Sequence, residues 1–148
     1  MKNGQVVQDL WTFDTTSRDW EKVQVLIGEC PGLCGPLAVV GHTAVTVPDL
    51  EILLVFFGHS PTFGFLNTVQ EYHFGSAGWS LVETRGAIVS GGYGSSSVYD
   101  ADAGLVYIHG GHVTSSSGIY GSSTTVGSVS DSLLQYNPVL REWCVFRK

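Results

Sequence analysis

One spacing recurs three times in this chain and restricts its fold more than any other feature. An aromatic residue is followed seven positions later by Trp at Phe13 and Trp20, at Tyr72 and Trp79, and at Tyr136 and Trp143. An aliphatic residue, Leu10, Val69 or Leu133, stands three positions before each aromatic, and the Trp-to-Trp intervals are 59 and 64 residues. Two further landmarks keep the same order in the last two copies. A β-type run ending in glycine reads Leu54-Val55-Phe56-Phe57-Gly58-His59 and then Leu105-Val106-Tyr107-Ile108-His109-Gly110-Gly111. Earlier in each copy stands Gly41-His42-Thr43-Ala44-Val45 or Gly94-Ser95-Ser96-Ser97-Val98. Repetition at this period points to stacked supersecondary units, each with a face that only a neighbour can cover.

Each unit reads as four short strands, predicted at 41–47, 52–57, 67–74 and 78–84, then at 94–100, 104–109, 131–137 and 142–147. Runs rich in β-branched and aromatic residues, punctuated by Pro48-Asp49 and Asp102-Ala103-Gly104, support strands joined by tight turns. Residues 6–25 supply only the last two strands of an earlier unit, and no useful helical period appears. Four-stranded antiparallel units with glycine after strand two and a spaced aromatic and Trp in strands three and four are the pattern of kelch-type propeller blades. The expected architecture is all-β: about two and a half blades of an incomplete β-propeller, which further sequence must close. Residues 1–27 are read as the end of a preceding blade and 28–37 as a Cys/Gly/Pro insert. Residues 38–84 form one complete blade and 85–148 another, with a long Ser/Gly loop at 113–130. The kelch positions are Phe13, Trp20, Gly41, His42, Gly58, Tyr72, Trp79, Gly94, Gly110, Gly111, Tyr136 and Trp143. The Tyr and Trp rings are expected to plug each blade, with O–H and N–H reaching backbone partners, and His42 to hold backbone between blades.

Composition agrees with a packed β structure. Of 148 residues 19 are Gly, 43% are hydrophobic and only 14% are charged, with a mean hydropathy of +0.17. That is too apolar for a disordered chain, and the longest strongly apolar run, Ile52 to Phe57, is far short of a membrane span. With 7 basic and 13 acidic residues, and Arg85 the only basic one between Lys22 and Arg141, no cationic face is available for nucleic acid or anionic lipid. The opening Met1-Lys2-Asn3-Gly4 has no apolar stretch behind it, so no signal peptide is expected in this segment.

Three cysteines leave at least one unpaired within the chain. Cys30 and Cys34 could close a small disulfide loop in an oxidising compartment, or remain free thiols; a zinc half-site lacks a second pair of ligands. The five histidines, His42, His59, His73, His109 and His112, show no ligand spacing, and no metal or other cofactor is expected. Gly92-Tyr93-Gly94 lacks the Lys-Ser/Thr of a phosphate cradle, the serine runs lack a nucleophile elbow, and Asp100 and Asp102 fall in a turn without a cleft. No small-molecule substrate is evident either. The loop 113–130 is either a projecting binding loop or disordered, and its low complexity favours disorder.

Several segments resemble the attractin and attractin-like cell-surface family. They are Ala38-Val39-Val40-Gly41-His42-Thr43-Ala44, Val55-Phe56-Phe57-Gly58-His59-Ser60-Pro61, Asn67-Thr68-Val69-Gln70-Glu71-Tyr72, Gly91-Gly92-Tyr93-Gly94-Ser95-Ser96-Ser97-Val98-Tyr99-Asp100 and Tyr107-Ile108-His109-Gly110-Gly111. The resemblance implies a kelch propeller in the extracellular part of a single-pass membrane protein, beside CUB, EGF-like and lectin-type modules, with roles in cell interaction and signalling. It further implies a non-enzymatic module that meets protein partners through propeller loops and packs on the remaining kelch blades of its parent chain. The insert at 28–36 and the loop at 113–130 depart from the family pattern. An intracellular kelch adaptor presenting a protein partner is the alternative, and a propeller enzyme the third reading.

Overall fold

The computed structural model describes residues 3–27, 35–114 and 127–146. Cys30 and Cys34, most of the 28–37 insert and the middle of the 113–130 loop lie outside the described residues. The chain opens with a hairpin of β1 (Trp11–Phe13) and β2 (Trp20–Lys22), followed by β3 (Leu26–Ile27). The first complete blade contains β4 (Thr43–Val47), β5 (Ile52–Phe56), then a small hairpin of β6 (His59–Ser60) and β7 (Gly64–Phe65), then β8 (Val69–His73) and β9 (Gly78–Val82). After β10 (Arg85–Gly86) and β11 (Gly92–Tyr93), the second blade follows with β12 (Ser96–Asp100), β13 (Leu105–His109), β14 (His112–Val113), β15 (Ser128–Val129), β16 (Leu133–Asn137) and β17 (Glu142–Phe146).

Both main sheets have one plan. Their orders are β3-β9-β8-β5-β4 and β10-β17-β16-β13-β12, so each antiparallel meander of four gains a fifth, parallel strand on its outer edge. That fifth strand is the linker from the unit before: Leu26 pairs with Gly78, and Arg85 with Glu142. Both linkers start six residues after a Trp, Trp20 or Trp79, a regularity too short to register as a strand in sequence. This pairing covers an otherwise open sheet edge with backbone from the neighbouring unit.

The turns repeat as closely as the strands. Asp14 Oδ1 accepts from the amides of Thr16 and Ser17, and Asn137 Oδ1 from those of Val139 and Leu140, immediately after Phe13 and Tyr136. Two residues before each Trp, the chain turns left-handed at Arg18 (φ 64°), Ala77 (φ 52°) and Arg141 (φ 56°). The seven-residue spacing is therefore a hairpin of fixed geometry, which places Phe13 opposite Trp20, Tyr72 opposite Trp79 and Tyr136 opposite Trp143.

The core lies between the two blades rather than within either. Ile52, Leu54, Phe56 and Val69 of the first blade pack with Val106, Ile108, Tyr136 and Trp143 of the second, all buried. A smaller cluster of Leu37, Val39 and Leu66 covers the first blade's opposite face. This explains why β5 reads Ile-Leu-Leu-Val-Phe without alternation, whereas β13 alternates buried Val106 and Ile108 with more exposed Leu105, Tyr107 and His109. A strand covered on both faces carries an unbroken apolar run; one covered on a single face alternates. Tyr136 meets Phe56 edge-on at 5.4 Å, and Trp143 stacks on Phe57 at 5.7 Å and 19°.

Phe57 occupies in the first unit the place that Gly110 holds in the second, and both backbones are left-handed, at φ 62° and 74°. Such a conformation costs a residue with a Cβ about 1–2 kcal/mol. The buried ring stacked on Trp143 offsets that cost for Phe57. Across the same interface Glu71, only 3% exposed, contacts His73 at 2.6 Å and Arg141 of the other blade at 3.6 Å.

The ring polar groups do not reach backbone as expected. Trp79 Nε1 donates instead to the side-chain Oε1 of Gln70 (3.2 Å), which also accepts from the Leu37 amide (2.7 Å). Leu134 holds the corresponding place in the second blade, so Trp143 Nε1 has no acceptor there; among the described residues neither it nor Tyr136 Oη finds a hydrogen-bond partner. Burial, and then the Glu71 charge, push the Tyr136 phenol well above its ordinary pKa, with Arg141 opposing.

Candidate functional site

The two ends of the blade pair differ in chemistry. At one end lie the turns between strands one and two of each blade, carrying Asp49, Glu51, Asp100 and Asp102. Tyr99 Oη donates to Asp49 Oδ2 across the blades (3.2 Å), and Asp100 Oδ1 accepts from the amides of Asp102 and Ala103. Asp100 is thus engaged in shaping a turn.

At the other end the loops of both blades are joined by backbone. The strand β11 lies between them: Gly58 N–H donates to the Gly92 carbonyl (2.7 Å), and Gly92 N–H to the Leu66 carbonyl (3.1 Å). On the far side β11 pairs with β14, which pairs with β15. A Cβ at Gly91 would fall on the Leu66 carbonyl, and one at Gly92 on the His112 carbonyl. Only glycine lets three backbone segments approach so closely. Gly91-Gly92-Tyr93-Gly94 is therefore the seam between the blades, a role that its superficial likeness to a phosphate cradle conceals.

This seam carries a ladder of rings. His59 meets Phe65 at 4.8 Å, Phe65 stacks on Tyr93 at 5.6 Å and 16°, and Tyr93 stacks on His112 at 5.3 Å and 27°. Tyr93 is held by its pairing with His112, by the Gly94 N–H donated to the Gly41 carbonyl (2.7 Å), and by packing of its Cβ against Gly41. It nevertheless stays 40% exposed, beside a shallow groove of about 310 Å³ lined by Val40, His59, Phe65 and Tyr93. An exposed aromatic on restrained backbone binds with little loss of side-chain entropy.

Of the residues singled out in the sequence, Gly41 and Gly58 lie in this seam, and Gly94 and Gly111 border it. Gly111 accepts from the Ser130 amide, so the 113–130 loop is ordered at both of its roots, in β14 and β15. Tyr72, Trp79, Tyr136 and Trp143 sit in the blades themselves, away from the ladder. His42 is exposed and among the described residues makes no side-chain hydrogen bond; the Gly41 carbonyl ties the blades instead. Phe65, Tyr93 and the ring roles of His59 and His112 were missed. The available signal was an aromatic or His beside glycine, in the loop after strand two of each blade and in the linker that leads into the second blade. Among the described residues no three His, Cys, Asp or Glu side chains converge on a metal-sized site, and no helix is long and apolar enough to cross a membrane.

The fold has a counterpart in known sequences. Residues 1–148 match the model of the attractin/LZTR1 beta-propeller family. The putative protein tag-53 of Caenorhabditis elegans is 29% identical over 135 residues, 91% of this chain and 9% of that protein. Human multiple epidermal growth factor-like domains protein 8 is 32% identical over 108 residues, 73% of this chain and 4% of that protein. The rat protein of the same name is 34% identical over 110 residues, again 73% of this chain and 4% of its own length. The chain thus spans less than a tenth of these relatives. The match over the whole chain and the blade architecture together place this protein in the attractin/LZTR1 β-propeller family.

Proposed function

We propose that this chain is a non-enzymatic protein-interaction module, part of an extracellular kelch propeller of an attractin-like cell-surface protein. The observation that carries the reading is Tyr93, exposed at the blade end on backbone fixed from both sides. Loops on a rigid scaffold are where binding residues concentrate. Residues 38–84 and 85–148 then serve as two kelch blades and 1–27 as the end of another, with Gly41, Gly58, Gly94, Gly110 and Gly111 holding loop geometry and the Phe/Tyr and Trp pairs holding the blades. Extracellular placement draws support from the epidermal growth factor-like domains named in two relatives. The exposed thiol of Cys144 is what favours the alternative, an intracellular kelch adaptor, since free exposed thiols suit a reducing compartment.

Binding of the purified chain to intact and to permeabilised cells tests both. Saturable binding to intact cells, lowered at least threefold by Tyr93→Leu, is expected. Binding seen only after permeabilisation would overturn the extracellular assignment and favour the adaptor.

A further inference from the structure

The second blade keeps a cavity where the first has an apolar plug. In the first blade Leu37, Val39 and Leu66 are buried together. The second blade has Ser90, Gly92 and Ser130 at the corresponding points, and the backbone fixes that match. The Leu66 amide donates to the Gly58 carbonyl (2.9 Å) as the Ser130 amide does to the Gly111 carbonyl (2.9 Å). Val40 bridges His59 as Tyr93 pairs with His112, which aligns Leu37 and Val39 with Ser90 and Gly92. Gly110 likewise stands where the first blade has Phe57. Each exchange puts a small residue in place of a large apolar one, and a cavity of about 150 Å³ remains at the seam.

Its lining has two kinds of surface. Ser90, Ser95, Ser130 and Ser132 belong to one, and Phe57, Leu134 and Val145 to the other. Ser130 Oγ accepts from the Ser132 amide (3.2 Å), so its own proton is left to donate. Among the described residues no carboxylate, lysine or arginine lines the cavity, so a charged ligand would lose hydration without an ion-pair partner. A cavity of roughly this volume admits one six-membered ring. Of its lining, Ile88 and Ser90 are exposed, so it opens to solvent and a ring can enter with one edge left outside. A ring with C–H faces and several uncharged hydroxyls matches both kinds of wall. We infer that this cavity binds a single neutral pyranose ring, as a free sugar or as the end of a glycan. The site goes beyond the protein-interaction module and does not depend on it.

The test titrates the whole chain with methyl pyranosides of glucose, galactose, mannose and N-acetylglucosamine, and with glucuronate as the charged counterpart, read by ligand-observed NMR. Millimolar binding of at least one neutral pyranoside is expected, about fivefold or more tighter than glucuronate. Ser90→Leu combined with Ser130→Leu gives the second blade the residues of the first. That double variant should weaken binding about tenfold or more and raise the melting temperature, because it fills the cavity. Ser90→Ala, at an exposed position, should keep the wild-type circular dichroism and weaken binding about threefold. Immobilised glycans ending in the preferred sugar separate the two sources: tighter binding than to the free pyranoside marks a glycan end, equal binding a free sugar. Failure of every neutral pyranoside to bind, preference for glucuronate, or unchanged affinity in the double variant would each overturn the site. A melting temperature lowered by Ile119→Ser or Tyr120→Ser, with no sugar bound by wild type, would assign the cavity to the chain's own 113–130 loop instead.

Discussion

The same aromatic-to-Trp hairpin is bare at one end of the chain and buried at the other. Trp20 is 67% exposed and Phe13 44%, whereas Trp143 is 3% exposed and Tyr136 fully buried. Yet the paired rings touch alike, at 4.9 Å in the first hairpin and 4.8 Å in the last. Turn chemistry agrees as well, with Asp14 and Asn137 capping corresponding amides. The motif therefore builds a hairpin by local rules and acquires a core only when a neighbouring blade, here through Phe56 and Phe57, packs against it. Energetic weight follows from that neighbour and not from the motif.

The sharpest way to break this comparison is Tyr136→Ala. Loss of a fully buried aromatic should lower stability by about 3–5 kcal/mol, read by chemical denaturation. If Tyr136→Ala costs no more than Phe13→Ala, the core does not lie between the blades. Gln70→Leu should follow at about 2–3 kcal/mol, because it orphans both the Leu37 amide and Trp79 Nε1. That variant gives the first blade the residue the second already has at Leu134, so a cost near zero would show that the Gln70 bonds contribute little.

A smaller effect concerns pH. The raised Tyr136 pKa means that above about pH 10 the unfolded chain loses a phenol proton that the folded chain keeps. The unfolded state then binds fewer protons, so stability should fall as pH rises beyond that point, by at most about 1.4 kcal/mol per pH unit from this group. Tyr136→Phe should remove that part of the alkaline loss while costing little at pH 7, since the hydroxyl has no partner among the described residues. Equal alkaline loss in both proteins would dissociate the effect from Tyr136. Trp20→Ala should change stability least, within about 0.5 kcal/mol, as expected for an exposed side chain.

The eight main strands were legible in sequence because each satisfies local rules: β-rich runs, turn residues at fixed offsets and an aromatic-to-Trp spacing set by one hairpin. Thr43–Val47 and Leu133–Asn137 lie inside the stretches read from sequence, differing only by residues at the ends. The linker strands at Leu26–Ile27 and Arg85–Gly86 were not legible, because two residues carry no period and their partners lie more than 50 residues ahead. The ring ladder was hidden for the same reason. His59, Phe65, Tyr93 and His112 come from three loops, and no pattern within any one loop places their faces in line.

The sequence by itself determined that this chain makes four-stranded β units, where their hairpins turn, and which family they belong to, since those depend on near neighbours and on motifs. Tertiary structure alone decided that Tyr136 and Trp143 pack against Phe56 and Phe57 of the other blade, that Gly91 and Gly92 join the blades by backbone, and that Tyr93 stands partly exposed between two stacked rings. Those outcomes depend on which surfaces face each other, and facing is a property of packed blades that no single repeat contains.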